Sequence, residues 1–128
     1  MIEVTIPGQP PSGNHMYEGY GKNRRKTDKV SSYQESVTFW VRQATQGGRF
    51  RPGETIVIEF DFRLGRSVDA TNAMKVIEDG VAAAICPGLD PPRCCTKYDE
   101  RFLCRAMARA IGWATPHTVL RIWNLGDA

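Results

Sequence analysis

From Glu54 to Leu64 a large apolar residue occupies every second position from Ile56 onward, and this pattern constrains the chain more than any other. Ile56, Ile58, Phe60, Phe62 and Leu64 fall on one side, while Thr55, Val57, Glu59, Asp61 and Arg63 fall on the other. Successive side chains of an extended strand point to opposite faces, so the segment reads as a strand with one apolar face that needs a cover. A candidate cover follows at once. Beyond the turn at Gly65, the stretch from Asp69 to about Ile85 places Val76, Ile77, Val81, Ala84 and Ile85 at helical spacing, and Pro87-Gly88 terminates it.

The rest of the chain supplies similar units. Ile2, Val4 and Ile6 alternate with Glu3 and Thr5, a short strand stopped by Pro7-Gly8. From Pro10 to Lys29 the chain is rich in Gly, Asn, Pro and charge without a sustained period, which predicts a long exposed loop. Ser32-x-x-Glu35 reads as a capping box opening a first helix with Val37, Phe39, Trp40, Val41 and Ala44, ended by Gly47-Gly48. Between Phe102 and Ile111 a helix would use Leu103, Ala106, Met107 and Ala110, whereas alternation with Arg105 and Arg109 suits a strand, the reading favoured. Thr118 to Trp123 is a last strand. The order is β, α, β, α, β, β, an α+β arrangement in which Phe39, Trp40, Trp113 and Trp123 are expected in the core or at a subunit interface.

At 128 residues the chain is one domain long, residues 1–128, with an apolar fraction of 41% that suits a globular protein. No apolar run approaches the roughly 20 residues a membrane helix needs, so no membrane partner is expected. The start carries Glu3 and no basic segment ahead of an apolar stretch, which predicts no secretory signal and a cytoplasmic location. The cysteines at 86, 94, 95 and 104 form no C-x-x-C pair and are expected as free thiols. A zinc site from three of them plus His117 would match no usual ligand spacing. His15 and His117 have no carboxylate partner visible in the sequence, which argues against either as a catalytic base.

Charge is more informative in its placement than in its net value of +3. Within the loop of residues 10–30, Lys22, Arg24, Arg25, Lys26 and Lys29 gather against Asp28 in eight residues, a local charge of +4. That cluster is either a solvated loop or a phosphate-binding arm, and composition leaves both open. Tyr17 and Tyr20, interleaved with it, are placed either to stack on unpaired bases or to pack back on the body.

The stretch carrying chemistry joins the clearest strand to the second helix. At about 100° per residue, Asn72, Lys75 and Asp79 fall within roughly 60° of one another, with Asp69 near the N-cap. The plain reading is that Asp69 caps the helix and Lys75 pairs with Asp79. Against it stands Asp90, just after the Pro87-Gly88 break, where the chain can turn back and bring two separated acids together. Phosphodiester cleavage needs hard oxygen ligands for Mg²⁺, which activates a water and neutralises phosphate charge, and often a Lys at the transition state. Asp69, Asp90 and Lys75 can supply these.

In this spacing the chain resembles the RusA family of Holliday junction resolvases. That family carries Asp-x-Asp-Asn, a Lys three residues later, an Asp four after the Lys and a catalytic Asp eleven further on. Asp69, Asn72, Lys75, Asp79 and Asp90 match without a gap. Pro10-Pro11-Ser12-Gly13-Asn14 is similar to the family's Pro-Pro-Ser-x-Asn after the first strand, and Tyr33 with Val37 suits its first helix. The likeness covers about residues 2 to 90, beyond which Pro91 to Tyr98 looks like an inserted loop. One position departs. Thr71 stands where the family has its second acid, and a hydroxyl is a weaker ligand for a hard dication than a carboxylate. Three accounts stay open: coordination by Thr71 or its water, which is favoured; substitution by Glu78; or an inactivated site.

The resemblance implies a mixed four-stranded sheet with two main helices packed on it, in a homodimer. It also implies an endodeoxyribonuclease that resolves four-way junctions and other branched DNA, using Mg²⁺ or, as a substitute, Mn²⁺. Catalysis would fall to Asp69, Lys75 and Asp90, and metal binding to Asp69, Thr71 and Asp90. DNA contacts would come from Asn14, Lys22, Arg24, Arg25, Lys26, Lys29 and Asn72. A C2 dimer presents two copies of one site to a symmetric junction. The host implied is a bacterial or phage-infected cell. The rival expectations are a relative that binds branched DNA without cutting it, and a small structural module whose acids merely cap and pair.

Overall fold

A computed structural model describes residues 1–11, 17–18, 25–26, 28–46, 56–85, 102–124 and 126, with 17–18, 25–26 and 102–107 described by their backbone alone. In chain order the elements are β1 (Ile2–Pro7), β2 (Tyr17–Glu18), β3 (Arg25–Lys26), α1 (Asp28–Thr45), β4 (Ile56–Leu64), α2 (Ala70–Ile85), β5 (Phe102–Ile111) and β6 (His117–Asn124). The architecture is α+β, with a mixed four-stranded sheet in the order β1-β6-β4-β5 and two helices. β6 runs antiparallel to both β1 and β4, and β5 runs parallel to β4, the two joined through α2.

The alternation of β4 does what its pattern demands. Ile56, Ile58, Phe60, Phe62 and Leu64 are all buried in one core with Val4, Ile6, Leu120 and Ile122 from the neighbouring strands. α2 contributes Ala73, Val76, Ile77, Val81 and Ile85, and α1 contributes Val30, Tyr33, Val37 and Val41. No helix among the described residues is long and apolar enough to cross a membrane.

Two expectations need correction. The first helix begins at Asp28, not at a Ser32 cap, so Ser32-x-x-Glu35 lies inside it and Lys29 belongs to its first turn. The reason is tertiary: Val30 is fully buried and extends the stripe of Tyr33, Val37 and Val41 by one turn, while Asp28 suits the positive helix end. The expected loop of residues 10–30 also contains the ladder β2–β3, whose two-residue strands are too short to leave a period in the sequence. Phe102–Ile111 is the strand favoured. Its ambiguity has a cause, because Ile58 pairs with Cys104 but Phe60 with Met107. One extra residue in β5 shifts the alternation halfway along.

α1 and α2 lie side by side and point the same way. Gln34 Nε2, Thr38 Oγ1 and Arg42 Nη2 donate to the carbonyls of Val76, Gly80 and Ala83 at 3.2, 2.8 and 3.4 Å. Gly80 permits this approach: a Cβ there would sit 2.8 Å from Val37 Cβ and 3.1 Å from the Gln34 carbonyl. Both helices therefore begin at one end of the molecule, where β4 ends.

Candidate active site

At that end two segments are fastened to the β4–α2 connection and to each other. Gly65 N donates to Gln9 Oε1 at 2.8 Å, and Gln9 Nε2 returns a bond to the Arg66 carbonyl at 2.8 Å. Gly8 N donates to the Pro116 carbonyl at 2.9 Å and Trp113 N to the Leu64 carbonyl at 3.0 Å. Gly65 is crowded, since a Cβ there would lie 3.1 Å from Pro116 Cγ. The Pro7–Pro11 segment is thus tied to the turn leading into α2.

Asp69 is the N-cap of α2. Its Oδ1 accepts from Thr71 N at 3.0 Å and Asn72 N at 3.4 Å, its Oδ2 accepts from Asn72 Nδ2 at 3.1 Å, and its carbonyl accepts from Ala73 N. A carboxylate offers about four acceptor positions, so capping leaves roughly one, on Oδ2, for a further ligand. Asp69 is exposed, as are Thr71 and Lys75, which are neighbours at i and i+4 on the helix surface. Asn72 is half-buried and occupied with Asp69. Asp79 parts from this group: it is half-buried against α1 and accepts from Gln34 Nε2 at 3.4 Å.

The oxygens of Asp69 and Thr71 are hard donors that fit a divalent cation such as Mg²⁺ or Mn²⁺ in kind, though one carboxylate and one hydroxyl are fewer than such a cation takes. Among the described residues no three of His, Cys, Asp and Glu converge as a metal-binding group. Asp90 lies outside the described residues, as do Asn14, His15, Tyr20, Lys22, Arg24, Cys86, Cys94 and Cys95. Arg25 and Lys26 are placed by the backbone of β3, opposite Glu18 and Tyr17.

Lys29 lies on a cleft of about 770 Å³ beside the site, with Pro10, Pro11, Ser32, Tyr33 and Arg66 among its walls. The Pro-Pro element, the start of α1 and the approach to Asp69 therefore share one surface. Lys29 and Arg66 bring two cations to it against the one carboxylate of Asp28, and both helix starts add the positive ends of their dipoles. Arg66 belongs to no motif in the sequence. The signal available was its place between the clearest strand and Asp69.

Under this surface Tyr33 and Thr118 bring two buried hydroxyls together without a well-formed hydrogen bond to any described residue. Burial pushes the Tyr33 phenol up to about 12, with the Thr118 hydroxyl pulling it part of the way back. On the sheet face turned away from the helices, Arg63 pairs with Asp61 at 3.1 Å, meets His117 Nε2 at 3.4 Å and lies 5.3 Å from the Trp113 ring centroid.

Of the two places expected for the aromatics, the core or a subunit interface, the core is ruled out for three of them. Phe39 and Trp40 are 53% and 39% exposed on α1, packed edge to face on each other, and Trp113 is 41% exposed, so none of the three is core. The apolar stripe of α1 passes through Val37 and Val41, whose positions on the turn leave Phe39 and Trp40 outside. No protein-family model matches this chain, and no curated protein matches it.

Proposed function

We propose that this chain is a RusA-like, structure-specific DNA endonuclease, a homodimer that resolves Holliday junctions and related branched DNA by Mg²⁺-dependent phosphodiester hydrolysis. The observation carrying this reading is the gapless spacing of Asp69, Asn72, Lys75, Asp79 and Asp90, with Asp69 exposed where β4 hands over to α2. Asp69 and Asp90 would hold the cation, with Thr71 or a water on it completing the oxygen set. When bound, Mg²⁺ supplies activation of the attacking water and neutralisation of phosphate charge. Asn72 fixes the Asp69 carboxylate through Oδ2, and Lys75, one turn beyond Thr71, is placed to meet a phosphate oxygen. Lys29 and Arg66 favour phosphate along the adjoining cleft, and the basic cluster from Lys22 to Lys26 extends that character.

The geometry also gives a specific ground for the second reading, a protein that binds branches without cutting. Capping already uses most of the Asp69 carboxylate, and Thr71 replaces an acid. Cleavage of a synthetic four-way junction in Mg²⁺ or Mn²⁺, against EDTA, separates the two. Asp69→Asn is the decisive variant, because Asn caps a helix about as well as Asp but is a poor ligand for Mg²⁺. Its melting temperature should match the parent while cleavage disappears, and Asp90→Asn should likewise bind junctions without cutting. Undiminished cutting by both variants would sink the site. Asp69→Ala should lose cleavage and also about 1 kcal/mol of stability through the lost cap.

A further inference from the structure

We infer that Trp113 is a stacking platform for an unpaired base of branched DNA, set beside the candidate cutting site. The inference rests on the DNA reading above and adds the residue that would read the branch. An aromatic of this size left 41% exposed in a β5–β6 turn gives up burial that would otherwise stabilise the fold, yet it is held on several sides. Arg63 lies against the ring, and His117 meets it edge-on with centroids 5.2 Å apart. His117 Nδ1 lies 3.0 Å from the Thr115 carbonyl, which assigns the proton to Nδ1 and leaves Nε2 to accept from Arg63. Asp61 holds the other side of the guanidinium. Such a platform is preorganised, so little side-chain freedom is lost when a base arrives.

Position gives the occupant. Trp113 N is bonded to the Leu64 carbonyl, and Asp69 is five residues beyond Leu64, at most about 18 Å of extended chain, so the Trp113 and Asp69 backbones lie no more than roughly 23 Å apart. An unpaired strand can extend beyond the duplex rise of about 3.4 Å per nucleotide, so that span takes no more than about seven nucleotides. A short unpaired segment at a branch can therefore stack on Trp113 while its phosphates reach toward Asp69. Paired bases have their faces covered by neighbours, so the platform selects branched over continuous duplex.

The test uses the full chain with a labelled DNA fork carrying unpaired arms and with a duplex of the same sequence. Trp113→Ala should weaken fork binding by about 10- to 100-fold, the range of losing one stacked base, with duplex binding changed less than about twofold. Trp113→Phe should keep most of the affinity, whereas Trp113→Leu, which fills the turn without an aromatic face, should resemble Ala. In a Trp40→Phe, Trp123→Phe background, the remaining Trp113 fluorescence should be quenched by the fork and not by the duplex. Wild-type affinity in Trp113→Leu, equal losses on fork and duplex, or a stronger preference for an RNA arm would each overturn the assignment. So would a changed sedimentation coefficient with intact fork binding, which would make Trp113 a contact between copies. Fork-dependent quenching without cutting in Mg²⁺ would keep the platform and remove the nuclease. Cutting that ignores Trp113 would do the reverse.

Discussion

The two faces of β4 carry the same backbone and opposite chemistry. Under the helices, Phe60 and Phe62 stack with centroids 5.7 Å apart among fully buried aliphatic side chains. On the other face, Arg121 spans Glu3 and Glu59 at 3.0 Å each, and Asp61, Arg63, His117 and Trp113 form a second chain of contacts. Burial stabilises the first face. Half-exposed ion pairs contribute typically 0–1 kcal/mol each, so the ordering of the second is better explained by what it positions than by what it stabilises.

Breaking that contrast should be easiest in the core. Phe60→Ala should cost about 3–5 kcal/mol, read from urea unfolding, and a loss below 1 kcal/mol would mean the covered face is not the foundation described. Gly80→Ala comes next. Its new methyl would meet Val37, so despite better helix propensity it should destabilise by about 1–3 kcal/mol, whereas a stabilised variant would show α1 and α2 to be further apart. Tyr33 sharpens the contrast through pH. Its folded value lies above the unfolded 10.0, so the folded state keeps the proton longer and this contribution is intact below pH 10. As pH rises from 10 toward 12 about 2–3 kcal/mol should be lost, and Tyr33→Phe should abolish that part of the alkaline slope. The smallest effect belongs to the face turned away from the helices: Arg121→Ala should lower the urea midpoint only slightly, and less still in 1 M salt.

Local pattern was enough wherever one element decides its own burial. The strand from Ile56 and the helix ending at Ile85 were legible because period two and period 3.6 run through them undisturbed, and Asp69 was legible as a cap from its place before Ala70. Where burial depends on a distant partner, the sequence was silent. Val30 marks the start of α1 only because the sheet is there to receive it. Arg63 and His117 are 54 residues apart and meet because β4 and β6 pair in one register. Asp79 shares a helical face with Lys75 on paper, but α1 lies along one side of that face and claims the acid.

The three rungs from α1 to α2, with Gly80 between them, carry an evolutionary constraint. A one-residue insertion between Asp69 and Val76 would swing the cap by about 100° while the rungs stayed put, and one between Lys29 and Gln34 would do the same to the cleft wall. Slipping one helix by a turn would bring a side chain in place of Gly80 against Val37. Changes of length are therefore best absorbed in the connections, and because Gln9 pins Gly65 and Arg66, Ser67 and Val68 are the part of the β4–α2 joint with most freedom to absorb one without redesigning either helix.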